Sequence, residues 1–211
     1  MKVLSALIGI ATAIFAAQAL DNVTTMNRAP AAGKVRISAV QYPIAPNTTF
    51  QKFKSKVEGY VTSAAQDRPS LVIFPELLTM DLWDLKSGKS DHDMAIEIAQ
   101  NSTEPYFNCV AELSQKYQLP ILAGSSPRLK QNRVYNTSML VFPNGRRVYH
   151  DKIFLTQWEK EQGWSTGDGI TVFDAPWGKT AMLTCFDSEF PKTTQLLADV
   201  RPEFILIPSM T

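Results

Sequence analysis

The sequence predicts an α/β fold built on mixed sheets. Three observations predict it. Short β-branched, apolar runs alternate with segments of helical period in the first half of the chain. Pro143-Asn144-Gly145 stands between two strand-like runs and is a hairpin signal, and hairpins join antiparallel strands. No Gly-x-Gly-x-x-Gly follows any strand and no phosphate loop is present, which argues against a simple parallel nucleotide-binding sheet.

The 211 residues suffice for one domain with a sizeable core. A hydrophobic content of 45% against 19% charged residues excludes a disordered chain. Lys plus Arg is 21 and Asp plus Glu is 20, so no basic excess exists to bind a phosphate backbone, and no nucleic-acid partner is expected. Two cysteines and two histidines exclude a disulfide-dense scaffold and leave little for a metal cage.

Residues 1–19 read as a signal peptide: Lys2, an apolar stretch, then Ala17-Gln18-Ala19 as a cleavage signature. The apolar run falls short of the roughly 20 residues a membrane span needs, so export is expected and a stable membrane anchor is not. Residues 20–33 are a small, polar lead-in, and the domain runs over 34–211. Four Asn-x-Ser/Thr sequons begin at Asn22, Asn47, Asn101 and Asn136, relevant only in a eukaryotic host.

Residues 35–42 (VRISAVQY) predict a buried strand, broken by Pro43 and Pro46. A helix follows from Thr48, with Phe50, Phe53, Val57, Tyr60, Val61 and Ala64 at spacings of three to four. Residues 71–74 are a short strand stopped by Pro75, and 77–103 read as irregular. Residues 104–117 predict a helix with Phe107, Val110, Leu113 and Tyr117 on one side. Strands at 120–124 and 134–142 lead into the hairpin, which returns along 146–150. Residues 152–169 read as irregular and rich in Trp and Glu. Strands at 170–173 and 179–184 flank a Trp177-Gly178 turn. Residues 191–200 predict a helix opened by a proline, and 204–208 (FILIP) a last buried strand.

Three segments carry chemistry. Glu76 directly follows an apolar strand and a chain-breaking proline, at the carboxyl end of a strand where α/β folds place active sites. Alone, it also fits a loop carboxylate turned to water. Lys152 ends the hairpin strand beside Ile153-Phe154-Leu155; it fits a snorkelling lysine or a buried ammonium paired with a carboxylate. Cys185 follows a strand and precedes a turn into a helix; it fits a small buried hydrophobe or a displayed thiol.

Taken in order, Glu76, Lys152 and Cys185 resemble the Glu-Lys-Cys triad of the nitrilase superfamily of carbon–nitrogen hydrolases. The flanking matches are Val35 to Gln41 as a first strand, Pro75-Glu76, Ile121 to Ser125, Tyr135-Asn136-Thr137, Asn144-Gly145, and Cys185-Phe186-Asp187 followed by Phe190-Pro191. The resemblance implies a four-layer α-β-β-α sandwich, a cysteine nucleophile, no metal or other cofactor, and a homodimer or higher homo-oligomer. It implies hydrolysis of a small-molecule amide, less commonly a nitrile, through a thioester on Cys185. Glu76 is then the general base, and Lys152 with the backbone N–H of Phe186 meets the oxyanion. Glu159 supports Lys152, with Glu161 as its rival. Family members acting on ω-amides of dicarboxylic acids carry an arginine just after the conserved aspartate, where this chain has Ser188-Glu189; neutral or aromatic amides are therefore expected. Family domains also continue beyond the position of Thr211, so further segments are expected there.

Three alternatives stand beside this reading. A Cys-His hydrolase would take His150 or His92 as base. An exported structural or binding homologue would join Cys109 to Cys185 in a disulfide. The same triad also supports acyl transfer to an amine.

Overall fold

The computed structural model describes residues 34–210. The signal peptide and lead-in assigned to residues 1–33 lie outside the described residues. Strands β1 (Ile37–Ala39), β2 (Leu71–Ile73), β3 (Ile121–Lys130), β4 (Arg133–Val141) and β5 (Arg147–Asp151) form one sheet in that order, parallel from β1 to β3 and antiparallel from β3 to β5. Strands β6 (Thr171–Ala175), β7 (Gly178–Met182) and β8 (Phe204–Leu206) form a second mixed sheet. The helices are α1 (Phe50–Gln66), α2 (Asp91–Asn101), α3 (Thr103–Tyr117), the short α4 (Gln157–Glu161) and α5 (Pro191–Val200). Among the described residues no helix is long and apolar enough to cross a membrane.

Strand periodicity explains the layers. In β2 to β4, Val72, Ile121, Ala123, Met139 and Val141 point to one side and pack on Phe53, Val57 and Val61 of α1 and on Phe107, Val110 and Leu113 of α3. Their alternating neighbours Leu71, Leu122 and Leu140 point the other way and meet Phe173, Trp177, Met182 and Leu206 of the second sheet. Lys179, on the outer side of β7, donates to the carbonyl of Val200, so the end of α5 lies against that outer side. The order is helices, sheet, sheet, helix, as the sandwich expectation requires.

Several expectations need correction. Residues 77–103 are not irregular: Leu78–Leu82 is a 3-10 turn and α2 is a helix capped by Ser90, which accepts from Asp93 N. Its buried stripe of Met94, Ala95, Ile98 and Ala99 contains two alanines and makes a weak periodic signal. Within 152–169, Thr156 and Glu159 form a capping box that starts α4. β1 and β8 are edge strands rather than buried ones; Ile37 is 44% exposed and Ile205 45%. Among the described residues each pairs along one side only. The Asn136 sequon is fully buried inside β4, so the folded chain cannot carry a glycan there.

Candidate active site

Alternation along β4 and β5 also builds the site. Asn136, Ser138, Leu140 and Phe142 share one side of the β4 segment; Val148, His150 and Lys152 share the matching side of β5 and its end. The gap between the sheets is therefore apolar along most of its length and polar at one end. Ser138 bonds Thr184 across that gap at 2.8 Å.

Glu76 enters this polar end from the turn after β2. The turn is tight: Leu77 has φ of 49°, and Gly124 of β3 lies so close that a Cβ there would stand 1.8 Å from the Pro75 carbonyl oxygen. Gly124 itself has φ of 65° and sits where the β3–β4 register shifts. Lys152 is fixed just beyond β5 by its backbone, its N–H donating to Asn136 O at 2.9 Å and its carbonyl accepting from Gly167 N at 2.8 Å. Gly167 packs on Asp151 too closely for a side chain, with a Cβ falling 2.1 Å from the Asp151 carbonyl oxygen.

The side chains converge. The Lys152 ammonium, 1% exposed as a residue, donates to Glu76 Oε1 at 2.8 Å and lies 2.9 Å from Glu159 Oε2. Asn136 Nδ2 bridges the same two carboxylates, at 2.8 Å to Glu76 Oε1 and 2.8 Å to Glu159 Oε1. Glu159 is held by the Thr156 backbone N–H at 2.8 Å and hydroxyl at 2.9 Å. Glu161 is exposed and bonds Gln157, so Glu159 is the second carboxylate at the lysine. Desolvation pulls the Lys152 ammonium down, but the charges and hydrogen bonds of Glu76 and Glu159 outweigh it and leave it above the ordinary lysine value.

Cys185 is half-buried and opens a 3-10 turn, Cys185–Glu189, with φ of 46°. A non-glycine residue in that region costs about 1–3 kcal/mol, which the surroundings must offset. The offset is visible in the bonds on either side: Cys185 N–H donates to Pro208 O at 3.0 Å, and Thr184 N–H to Asp187 Oδ2 at 3.0 Å. Phe186 N–H makes no backbone hydrogen bond among the described residues. Burial pushes the Cys185 thiol above its ordinary value. The charge of Glu76 and its hydrogen bond with the thiol push it further, while Met210 N–H and Lys152 pull it down. The thiol is therefore protonated at neutral pH and needs a base at the moment it reacts. Glu76 Oε1 is occupied by Lys152 and Asn136, whereas Oε2 accepts a long 3.3 Å bond from Met210 N–H.

The structure thus brings Glu76, Lys152, Glu159 and Cys185 together, and adds Asn136, which the sequence offered only as a sequon and a motif match. Neither histidine bonds Cys185: His92 contacts Gln162 O at 2.6 Å, and His150 contacts Asp187 and Thr171. Cys109 lies in the core on α3 and both cysteines are free thiols, so the disulfide expectation is overturned. Trp83 and Trp164 are core residues and Trp158 is half-buried, donating to Asp91 Oδ2 at 3.0 Å.

A family model described as carbon-nitrogen hydrolase matches residues 36–211. The chain is 32% identical over 178 residues to the probable hydrolase YhcX of Bacillus subtilis, covering 84% of this chain and 34% of that protein. It is 25% identical to the omega-amidase NIT2-B of Xenopus laevis, covering 83% of this chain and 63% of that one. The fold matches an amidase from Nesterenkonia sp. AN1 with a TM-score of 0.71 at 16% identity, over 83% of this chain and 67% of that one. It also matches Nit3 of Saccharomyces cerevisiae, with a TM-score of 0.69 at 20% identity, over 86% and 68%. The chain spans between a third and two thirds of the length of the two relatives matched by sequence. On the family match, which takes in the whole of both sheets and the polar end between them, this chain belongs to the carbon-nitrogen hydrolase family.

Proposed function

We propose that the protein hydrolyses a non-peptide carbon–nitrogen bond of a small amide through a thioester on Cys185. The observation that carries this reading is the asymmetry of Glu76: one carboxylate oxygen is tied to Lys152 and Asn136, the other takes a long 3.3 Å bond from Met210 N–H, and the carboxylate also meets the Cys185 thiol. Glu76 takes the Sγ proton as the sulfur attacks the amide carbon. The oxygen of the tetrahedral intermediate is met by the Lys152 ammonium and the Phe186 N–H, groups already aligned before charge develops. As the carbon–nitrogen bond breaks, Glu76 returns the proton to the nitrogen, and ammonia or an amine leaves. Glu76 then takes a proton from water, whose oxygen attacks the thioester, and the acid departs as the thiol is restored. Glu76 and Glu159 keep Lys152 charged, and Asn136 holds the two carboxylates. Ser188, which donates to the Cys185 carbonyl at 2.8 Å, brings no cation to the site, so we assign neutral or aromatic amides over ω-amides of dicarboxylic acids. The Ala17-Gln18-Ala19 signature supports export as part of the same proposal.

The test is mass spectrometry of Cys185 after exposure to neutral, aromatic and dicarboxylate amides, with ammonia release followed in parallel. The expected outcome is an acyl adduct on Cys185 and turnover that falls about 10⁴-fold or more in Cys185→Ala, with the fold retained. Ammonia release at the wild-type rate from Cys185→Ala removes the assignment.

A further inference from the structure

Asp187 stands two residues after the nucleophile and is fully buried. Its carboxylate accepts four hydrogen bonds. Oδ1 takes the backbone N–H of Ile153 at 2.9 Å and of Phe154 at 2.7 Å, the two residues that follow Lys152. Oδ2 takes Thr184 N–H, just before Cys185, at 3.0 Å, and the ring of His150 at 2.9 Å. An ionised carboxylate only accepts, so His150 Nε2 is the donor. The other ring nitrogen, Nδ1, meets Thr171 Oγ1 at 3.2 Å; that hydroxyl's one hydrogen goes either to Nδ1 or to Tyr149 O at 3.1 Å. His150 thus meets a polar group at both nitrogens, with its side chain sealed from solvent. It belongs to β5, two residues before Lys152 and on the same side of the strand.

Lys152 and Cys185 come from different sheets. Among the described residues no direct bond joins their side chains; beside the Ser138–Thr184 bond across the gap, Asp187 ties their backbones, binding the Lys152 loop through one oxygen and the Cys185 turn through the other. We propose that His150 is a positioning residue that clasps the two halves of the site by orienting Asp187. The inference rests on the hydrolase reading above for its effect on rate, but its geometry does not depend on any substrate.

Two measurements decide it, on His150→Phe, which keeps ring volume without a donor, and His150→Gln, whose amide nitrogen can reach the place of Nε2. In hydrogen exchange, the amides of Ile153, Phe154 and Thr184 should exchange about tenfold faster in His150→Phe while α1 and α3 keep their protection. In turnover of a neutral primary amide probe such as propionamide or benzamide, kcat should fall about 10- to 100-fold with KM nearly unchanged, because misplaced groups lose rate rather than binding. His150→Gln should restore both. If His150→Phe does not fold, Thr171→Val takes its place: it frees one side of the ring, and a smaller fall in kcat restored by Thr171→Ser is expected. Unchanged exchange at 153, 154 and 184, or a His150→Gln variant as slow as His150→Phe, overturns the clasp. A wild-type protein that forms no acyl adduct overturns the hydrolase reading instead, and the exchange measurement still decides the clasp.

Discussion

Glu76 and Asp81 are buried carboxylates five residues apart, each with a lysine nitrogen at 2.8 Å. Only one of them makes a candidate site. Asp81 accepts from the Tyr42 hydroxyl at 2.6 Å, from Ala45 N–H and from Lys56, whose side chain is 25% exposed. One carboxylate faces one lysine, and both oxygens are used. The cluster pins residues 42–48 against the 3-10 turn, helped by Thr48 N–H on Asp81 O at 2.9 Å. Glu76 shares its lysine with Glu159, so two carboxylates face one ammonium, and Glu76 also meets a thiol. Buried charge by itself is structural. It becomes reactive where it is unbalanced and where it meets a thiol.

The largest expected difference is in rate. Glu76→Gln should cut turnover about 10²- to 10⁴-fold, the usual worth of a positioned base, while keeping an acceptor for Lys152 and Asn136. Asp81→Asn should leave kcat of the folded protein nearly unchanged and cost stability, about 2–4 kcal/mol, by facing Lys56 with an uncharged amide. Glu76 raises the Cys185 thiol, so Glu76→Gln should also lower it; the thiolate absorbance of Cys185 should then appear at lower pH than in wild type. Lys152→Ala should move that titration the other way, because Lys152 pulls the thiol down. Equal rate losses in Glu76→Gln and Asp81→Asn would erase the distinction between the two clusters.

The next difference is in stability. Lys152→Ala strands two carboxylates in a buried site and should cost about 3–5 kcal/mol. Lys152→Arg keeps the charge and should cost less, yet remain nearly inactive, because the planar guanidinium does not reproduce the point charge of an ammonium. Lys56→Ala should cost about 1–2 kcal/mol, since Asp81 keeps Tyr42 and Ala45 and the lysine is partly solvated. Urea denaturation of the three variants gives the ranking, and Lys56→Ala as damaging as Lys152→Ala would contradict it.

This contrast shows where sequence reading works. Glu76, Lys152 and Cys185 each fit an ordinary structural role alone and were legible only together, through an order and flanking motifs that resemble the nitrilase superfamily. The helices α1 and α3 were legible from large apolar residues at helical spacing, and α5 from its opening proline. Helix α2 was not, because half its buried stripe is alanine. The placement of Asn136 and His150 was not, because each is set by a partner distant in sequence. Asn136 meets Glu76 at a separation of 60 residues, and His150 meets Asp187 at 37. The parity of β4 and β5 was the available signal: with Lys152 inward, His150 also points inward, and Asn136 follows from its pairing beside it. Glu159 came from the family resemblance, with Glu161 as its rival, and what distinguishes the two is the capping box of Glu159 with Thr156, three residues before it.

That capping box supplies the smallest test. Thr156 and Thr49 are both helix N-caps, of α4 and α1. Thr49 accepts from Lys52 N at 3.4 Å, far from the polar end between the sheets. Thr156 accepts from Glu159 N at 3.3 Å and returns a hydroxyl bond to Glu159 Oε2, the oxygen that faces Lys152. Each Thr→Ala change removes one cap and should cost about 1 kcal/mol of stability. Only Thr156→Ala also loosens a carboxylate that holds the lysine, although the Thr156 backbone N–H still restrains it. A bond worth about 1 kcal/mol bounds the loss of kcat at about fivefold, and Thr156→Ser should recover it. Thr49→Ala should leave kcat alone. Initial rates measured well below the melting temperature separate the two, because lost stability does not then reach the rate. If Thr156→Ala and Thr49→Ala give the same kcat, the capping box serves the helix alone, and the orientation of Glu159 must come from Asn136 and the Thr156 backbone.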